Sequence, residues 1–554
     1  MSSSARYLPA VLLVILSLPT LLWAQTTPKQ TAKAPRGSVS GRVTIKEKGA
    51  AGVMVGLRKS DSYNPYEQGL RGTTDQDGYY HIVNVPPGSY DISPSVPSFV
   101  PAANREPRLK SVLVTEDENV DNINFSLVRG GVITGRVTDA DGRPVIQQAV
   151  LIYRADSFDR PQQVPEQPPF AVKTVQTDDR GIYRAFGLPA GRYKVTAGLA
   201  DDIYNSSFVT GRPLYKQVFH PEGSDPAKAT VIEVGEGTEA ANIDMTLGRA
   251  MQTFSVAGRL VDEKGLPVPN TRLGLRRIVG QRFDFAGSSG MTNAQGDFLV
   301  DALIPGKYMF FLFQNQAGML ESINFDIIDQ DVSGVTVKLS AGASVSGVVV
   351  LETENKTAQA KLSELQLRAA VSNPSSPGGM GSFASSPIAP DGSFLLSGLS
   401  SGRANIMIGS NNPPFPPIGF NVVRVEREGV ATPQGLEIKD GEQLTGVRVV
   451  VSYGTAKLRG VVNLENGTLP EGARILIRLI KSGDSSFVRP PQVDARGRFM
   501  AEGLAPGNYE VHASVNMPLM PVRMVKREIV LQDGVTTDIT ITIDMSAPLP
   551  LPKP

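Results

Sequence analysis

The chain is built from short alternations of apolar and polar residues, each centred on a glycine. Five such stretches are Val39-Ser40-Gly41-Arg42-Val43, Ile133-Thr134-Gly135-Arg136-Val137, Val256-Ala257-Gly258-Arg259-Leu260, Val345-Ser346-Gly347-Val348-Val349 and Leu458-Arg459-Gly460-Val461-Val462. A period of two predicts half-buried strands. Downstream of each comes an acidic or amide turn with a glycine, then an aromatic residue: Gly78 with Tyr80, Gly181 with Tyr183, Gly296 with Phe298, Gly392 with Phe394, and Gly497 with Phe499. Glycine supplies the positive φ of a tight turn, and the aromatic two residues on points to the core face. A second turn then carries Gly88 and Tyr90, Gly191 and Tyr193, Gly306 and Tyr308, or Gly507 and Tyr509, with a proline directly before each glycine except Gly191, where Pro189-Ala190-Gly191 varies the spacing by one residue. The fourth copy is degenerate, because Leu399-Ser400-Ser401-Gly402-Arg403-Ala404 lacks both the proline and the tyrosine. Each copy closes on a further alternating strand, such as Ile123-Asn124-Phe125-Ser126-Leu127 or Ile539-Thr540-Ile541-Thr542-Ile543. No long stretch shows a 3.6-residue period, so the prediction is an all-β protein.

The opening glycines recur roughly 90 to 120 residues apart, a spacing too long for a solenoid and suited to a complete β-sandwich of about 100 residues. The expected organisation is five tandem antiparallel sandwiches at 37–129, 130–249, 250–341, 342–453 and 454–545. They follow a signal peptide over 1–24 and a linker over 25–36, and precede a Pro-rich tail over 546–554. The signal peptide is read from Arg6, the apolar run Tyr7 to Trp23 and the small residue Ala24. Pro9 and Pro19 interrupt that run, which falls short of the roughly 20 residues a spanning helix needs. Junctions such as Leu339-Ser340-Ala341-Gly342-Ala343-Ser344-Val345 leave few spare residues, and they predict a semi-rigid rod.

With these motifs in order, the sequence resembles carboxypeptidase regulatory-like domains. These are prealbumin-like (transthyretin-like) β-sandwiches related to Cna B-type repeats. The resemblance rests on Gly-x-Tyr/Phe followed by Leu-x-x-Gly-x-Tyr downstream of a Ser/Thr-Gly-Arg-Val strand, and it covers roughly residues 37 to 545. It implies a non-catalytic module of an exported protein. Cna-type relatives also suggest a Lys–Asn isopeptide crosslink, for which Lys46 and Asn124 are the conceivable pair in the first copy.

Composition narrows the chemistry further. There are no Cys, 3 His and 1 Trp, and 55 Lys+Arg nearly balance 54 Asp+Glu. Disulfides, thiolate metal sites and cysteine nucleophiles are excluded, and balanced charge gives no footprint for nucleic acid. The only Trp, Trp23, lies in the segment expected to be cleaved, so the mature protein should emit as tyrosine. His81, His220 and His512 fall in three different copies without the spacing of a zinc peptidase. Gly398-Leu399-Ser400-Ser401-Gly402 spells a nucleophile elbow, but it sits where the other copies have a turn. Asp75-Gln76-Asp77-Gly78 and Asp139-Ala140-Asp141-Gly142 look like calcium-loop fragments, yet position twelve would be Asn84 or Gln148 and not a glutamate. No catalytic, metal or cofactor-binding residue is assigned.

The expected function is an exported scaffold or interaction protein of the cell envelope or surface, whose partner is an envelope or surface protein. The alternatives are a carbohydrate-binding protein recognising extracellular polysaccharide and an accessory part of an envelope transport system. The candidate ligand-contact residues are Tyr204, Tyr215, Phe219, Tyr63 and Tyr66, aromatic rings in irregular segments. Tyr153, Phe158 and Phe208 lie in similar surroundings. The alternative for all of them is packing beneath long loops.

Overall fold

In a computed structural model, the described residues are 36–60, 69–102, 109–158, 170–199, 213–280, 282–312, 318–320, 323–352, 355–373, 380–410, 417–469, 473–482, 490–516 and 523–546. Their regular structure is almost entirely strand, with one short helix, Lys356–Leu362, and one 3-10 turn, Ala155–Ser157. Ten sheets pack around five buried clusters, which follow one another along the chain from Val39–Leu127 to Ala456–Ile543. Each cluster draws on the inward positions of two sheets, as a β-sandwich does. With no Cys, the buried aliphatic and aromatic side chains do the holding.

One sheet of each sandwich is built on its glycine-centred strand. In the fifth this is Ala456–Glu465, flanked by Arg498–Leu504 running antiparallel and by Thr536–Asp544 running parallel. The first sandwich pairs Gly37–Ile45 with Tyr79–Val85 and with Phe125–Arg129 in the same senses. Pairing elsewhere is mainly antiparallel, and this parallel couple joins the beginning of a sandwich to its end. Alternation alone is silent on strand direction, so the parallel pair was not legible in the sequence.

The register explains the two motifs together. Gly41 lies opposite Tyr80, Gly135 opposite Tyr183, Gly258 opposite Phe298, Gly347 opposite Phe394 and Gly460 opposite Phe499. At Gly258 and Gly460 the facing ring lies in the space that a side chain on the glycine would take, and at Gly41 the Tyr80 hydroxyl does. A Cβ on Gly460 would run into the Phe499 ring, and one on Gly41 or Gly135 would run into the carbonyl of Ile123 or Ile243, just before the parallel strand. Those two carbonyls accept hydrogen bonds from Tyr80 Oη (2.5 Å) and Tyr183 Oη (2.7 Å). A bare glycine therefore allows a bulky aromatic to cross the strand and tie down its neighbour.

The second turn is closed in the same spirit. Tyr90 Oη donates to Pro86 O (2.8 Å), Tyr193 to Pro189 O (2.5 Å), Tyr308 to Ile304 O (2.7 Å) and Tyr509 to Ala505 O (2.9 Å). The tyrosine body is buried in each case, while its hydroxyl satisfies a turn carbonyl. Burial pushes the Tyr308 phenol up to about 12, so this hydroxyl stays a donor at every physiological pH.

Short junctions alone suggested a rod, but the two ends of the array meet. The strand Lys110–Val114 of the first sandwich touches the segment Asp494–Arg498 of the fifth. The connections between neighbours are bonded through backbone: Gly130 N donates to Ser98 O (2.9 Å), Met251 N to Leu214 O (2.6 Å) and Gly454 N to Gly419 O (3.0 Å). These bonds fix how successive sandwiches meet. Hydropathy patterning within a strand carries no trace of them.

Candidate functional site

The residues with candidate chemistry resolve mostly into structural roles. Asp75 Oδ1 accepts from the amides of Asp77 (3.0 Å) and Tyr79 (2.8 Å), and Asp139 Oδ1 from those of Asp141 and Arg143 (both 2.9 Å). Asp178, Asn293 and Asp494 cap their own turns through the same two positions. The Ile182 amide, ahead of Arg180, holds the Asp178 carboxyl below the usual carboxylate range. These carboxylates are turn caps of the Asx type. Among the described residues, no group of three or more His, Asp or Glu is placed to hold a metal ion.

The sequence Gly398–Gly402 joins two strands, Ser393–Leu399 and Gly402–Ser410, and leads into no helix. Ser400 Oγ donates to Ser382 Oγ (3.2 Å), with no imidazole in its surroundings. Of the conceivable crosslink pair, Asn124 Oδ1 accepts from Arg42 N (2.8 Å), while its backbone oxygen accepts from Lys110 Nζ (2.7 Å). Lys46 occupies a turn at φ 47°.

Of the candidate ligand-contact rings, Tyr215 is 7 % exposed and Phe219 3 % exposed. Tyr215 belongs to the buried cluster of the second sandwich, while Phe219 packs edge-on against Phe158, which in turn meets Tyr153. Neither ring offers a free face for stacking, because both are buried in packing. Tyr63, Tyr66, Tyr204 and Phe208 lie outside the described residues. The signal peptide over 1–24 also lies outside them. Among the described residues, no helix is long and apolar enough to cross a membrane.

What the sequence did not signal is a junction where three sandwiches meet. A cavity of about 220 Å³ is lined by Lys59, Ser60 and Pro87 of the first, Ile418 and Asn421 of the fourth, and Gln492, Met500 and Glu502 of the fifth. Ser60 Oγ is buried there without a hydrogen-bond partner among the described residues. Glu502 is ion-paired with Lys457 Nζ at 2.9 Å. The lining offers apolar surface, amides, a hydroxyl and an ion-paired carboxylate, the repertoire of a binding site. Its parts come from residues more than 400 positions apart in the chain, with no shared motif to reveal them.

Beside this cavity the first and fifth sandwiches are joined by charge. Glu118 takes both guanidinium nitrogens of Arg498, with Nη2 to Oε2 at 3.0 Å and Nη1 on Oε1, while Arg496 Nη1 reaches Oε1 at 3.1 Å. Within its own sandwich Glu118 Oε2 also accepts from Thr115 N (2.9 Å) and Thr115 Oγ1 (2.8 Å). Burial pushes the Glu118 carboxyl up, but Arg498 and Thr115 outweigh it and hold the group at about 2. A carboxylate held below its ordinary 4.5 stabilises the ionised, joined state at pH above that value. The stabilisation is lost progressively as pH falls from about 4.5 towards about 2. The contact should therefore be complete at pH 6 and weakened at pH 3. Hydrogen exchange at the Leu113 amide, whose partner is Asp494, should speed up at pH 3 beyond the intrinsic change; equal protection at both values would refute this.

Residues 37–121, within the first sandwich, match the family described as BOS complex subunit NOMO1-like, second beta sandwich domain. No curated protein matches the chain. Among solved structures, a streptococcal ancillary pilin is 12% identical, with 55% of this chain and 98% of that chain covered at a TM-score of 0.23. The minor pilin GBS52 of Streptococcus agalactiae is 14% identical over 38% of this chain and 95% of that one, at a TM-score of 0.20. Two B repeat units of the collagen binding protein of Staphylococcus aureus are 11% identical over 76% of this chain and 100% of theirs, at a TM-score of 0.14.

Proposed function

We propose that the chain is an exported, non-catalytic scaffold and interaction protein of the cell envelope or surface. In this reading it consists of five copies of one unit, bounded at 37–129, 130–249, 250–341, 342–453 and 454–545, behind a cleaved signal peptide. The observation that carries the reading is how the titratable groups are used. The repeated turn carboxylates accept backbone amides, the buried tyrosines close turns, and Glu118 and Asp494 join two sandwiches. An acid–base pair needs a group left free to exchange its proton with a reacting atom; these groups are committed to holding the fold.

The polysaccharide reading is the weaker one, since two of its five aromatic rings are core residues. The test is a glycan array run alongside capture from envelope fractions with purified residues 25–554. A protein partner that competes with substitutions in the three-sandwich cavity, with a silent array, supports the scaffold. Glycan binding lost on changing Tyr63, Tyr66 and Tyr204 to Ala would overturn it.

A further inference from the structure

The strand Lys110–Val114 is the outer strand of its sheet and pairs inward only with Gly88–Ser95. An outer strand carries a row of unpaired backbone groups, and proteins cover or blunt such edges. Here the cover comes from the far end of the chain. Leu113 N donates to Asp494 Oδ2 (3.2 Å), Leu113 O accepts from Arg496 Nη2 (2.7 Å), and Ser111 O accepts from Ala495 N (3.3 Å). Leu113 itself is 1 % exposed, yet it stands outside the buried cluster of its own sandwich, into which Val112 and Val114 point. Side chains alternate across a strand, so Leu113 faces away from its own core and is covered from outside it. Glu118 adds the paired charge.

The turn that provides the cover is the repeated acidic turn of the fifth copy. In the first and third copies its capping residue, Asp75 or Asn293, is exposed, Asp178 of the second is only partly covered, and the fourth has Ala389 at that position. Asp494 is buried, at 7 % exposure. One copy of a standard turn has thus been put to a second use.

We propose that this contact is a latch, through which the fifth sandwich reversibly closes the array onto the first and masks a strand edge. When shut, it brings the fifth sandwich against Lys59, Ser60 and Pro87 and so completes the three-sandwich cavity. When open, it lengthens the molecule and uncovers the Lys110–Val114 edge.

The experiment is small-angle scattering of residues 25–554, with hydrogen exchange at Leu113, for wild type, Glu118→Arg, Arg498→Glu and the double reversal. Each single reversal should enlarge the radius of gyration and speed Leu113 exchange by about tenfold or more. The double reversal should recover both. As a further variant, Leu113→Ser should open the latch while leaving the exchange protection of Val112 and Val114, which face the first core, in place. Folded single reversals with an unchanged radius and unchanged Leu113 exchange, a double reversal as open as the singles, or loss of the first core in Leu113→Ser would each overturn the latch.

Discussion

Gly460→Val should unfold the fifth sandwich while the other four stay folded. The substituted position faces Phe499 directly across the sheet, and even a single added carbon would overlap the ring. Phe499 is fully buried and cannot swing out of the way, because the core around it is packed at the density of a molecular crystal. Overpacking a rigid core typically costs about 1–3 kcal/mol, and more where backbone must move. A valine here adds three carbons next to the ring, so a penalty at or above about 3 kcal/mol is expected. That is a large share of the 5–15 kcal/mol or so that holds a typical domain together. Because five cores need not unfold together, the readout is local: loss of exchange protection across Ala456–Glu465 and Thr536–Asp544, with the strands of the second and third sandwiches unaffected. Gly460→Ala should be milder, and adding Phe499→Leu to it should recover stability, since the two positions share one space. A Gly460→Val protein with a fully protected fifth sandwich would refute this account of the repeat.

The glycine–aromatic pairs show how much the sequence disclosed. The alternating strands, the turn glycines and the aromatics were all legible, because each is a local rule of period two or a φ requirement. That Gly460 and Phe499 are partners was not, since they stand about 40 residues apart and nothing local encodes register. The same limit applies with more force to the junction. Asp494 belongs to one more of the repeated acidic turns and Glu118 to no motif, and their common fate depends on how five sandwiches are angled. Tyr215 and Phe219 went the other way. Their irregular surroundings suggested exposure, whereas Tyr215 joins the buried cluster of the second sandwich and Phe219 packs against Phe158. An aromatic in a long connection is ambiguous between binding and packing, and only burial separates the two.

The angle between sandwiches leads to the second large effect, at Gly503. This residue bulges out of the strand Arg498–Leu504 with φ 70°, and Asn84, Gly187, Ala302 and Gly398 hold the matching bulges with φ of 60°, 72°, 58° and 72°. A bulge turns the strand and re-aims its neighbours, and in the fifth copy it is pressed against the fourth. A Cβ on Gly503 would overlap the backbone of Gly419 and the side chain of Ile418. Gly503→Val therefore meets two obstacles: a left-handed backbone that a β-branched residue adopts only at a cost of roughly 1–3 kcal/mol, and a backbone neighbour that can yield only by moving a whole sandwich. The expected result is a fourth–fifth junction that is pried apart while the fifth core remains folded. Scattering should register a larger radius of gyration, and Gly454, whose amide bonds Gly419 O, should lose its exchange protection. The latch residues are untouched by this substitution, so opening here tests the hinge side of the closed array independently of Glu118. Ala302→Gly makes the matched control. The third sandwich already carries a Cβ at this bulge, so removing it should shift stability by less than about 1 kcal/mol and leave the radius as it was. A Gly503→Val protein with wild-type dimensions and a protected Gly454 amide would mean that the bulge does not set the angle between sandwiches.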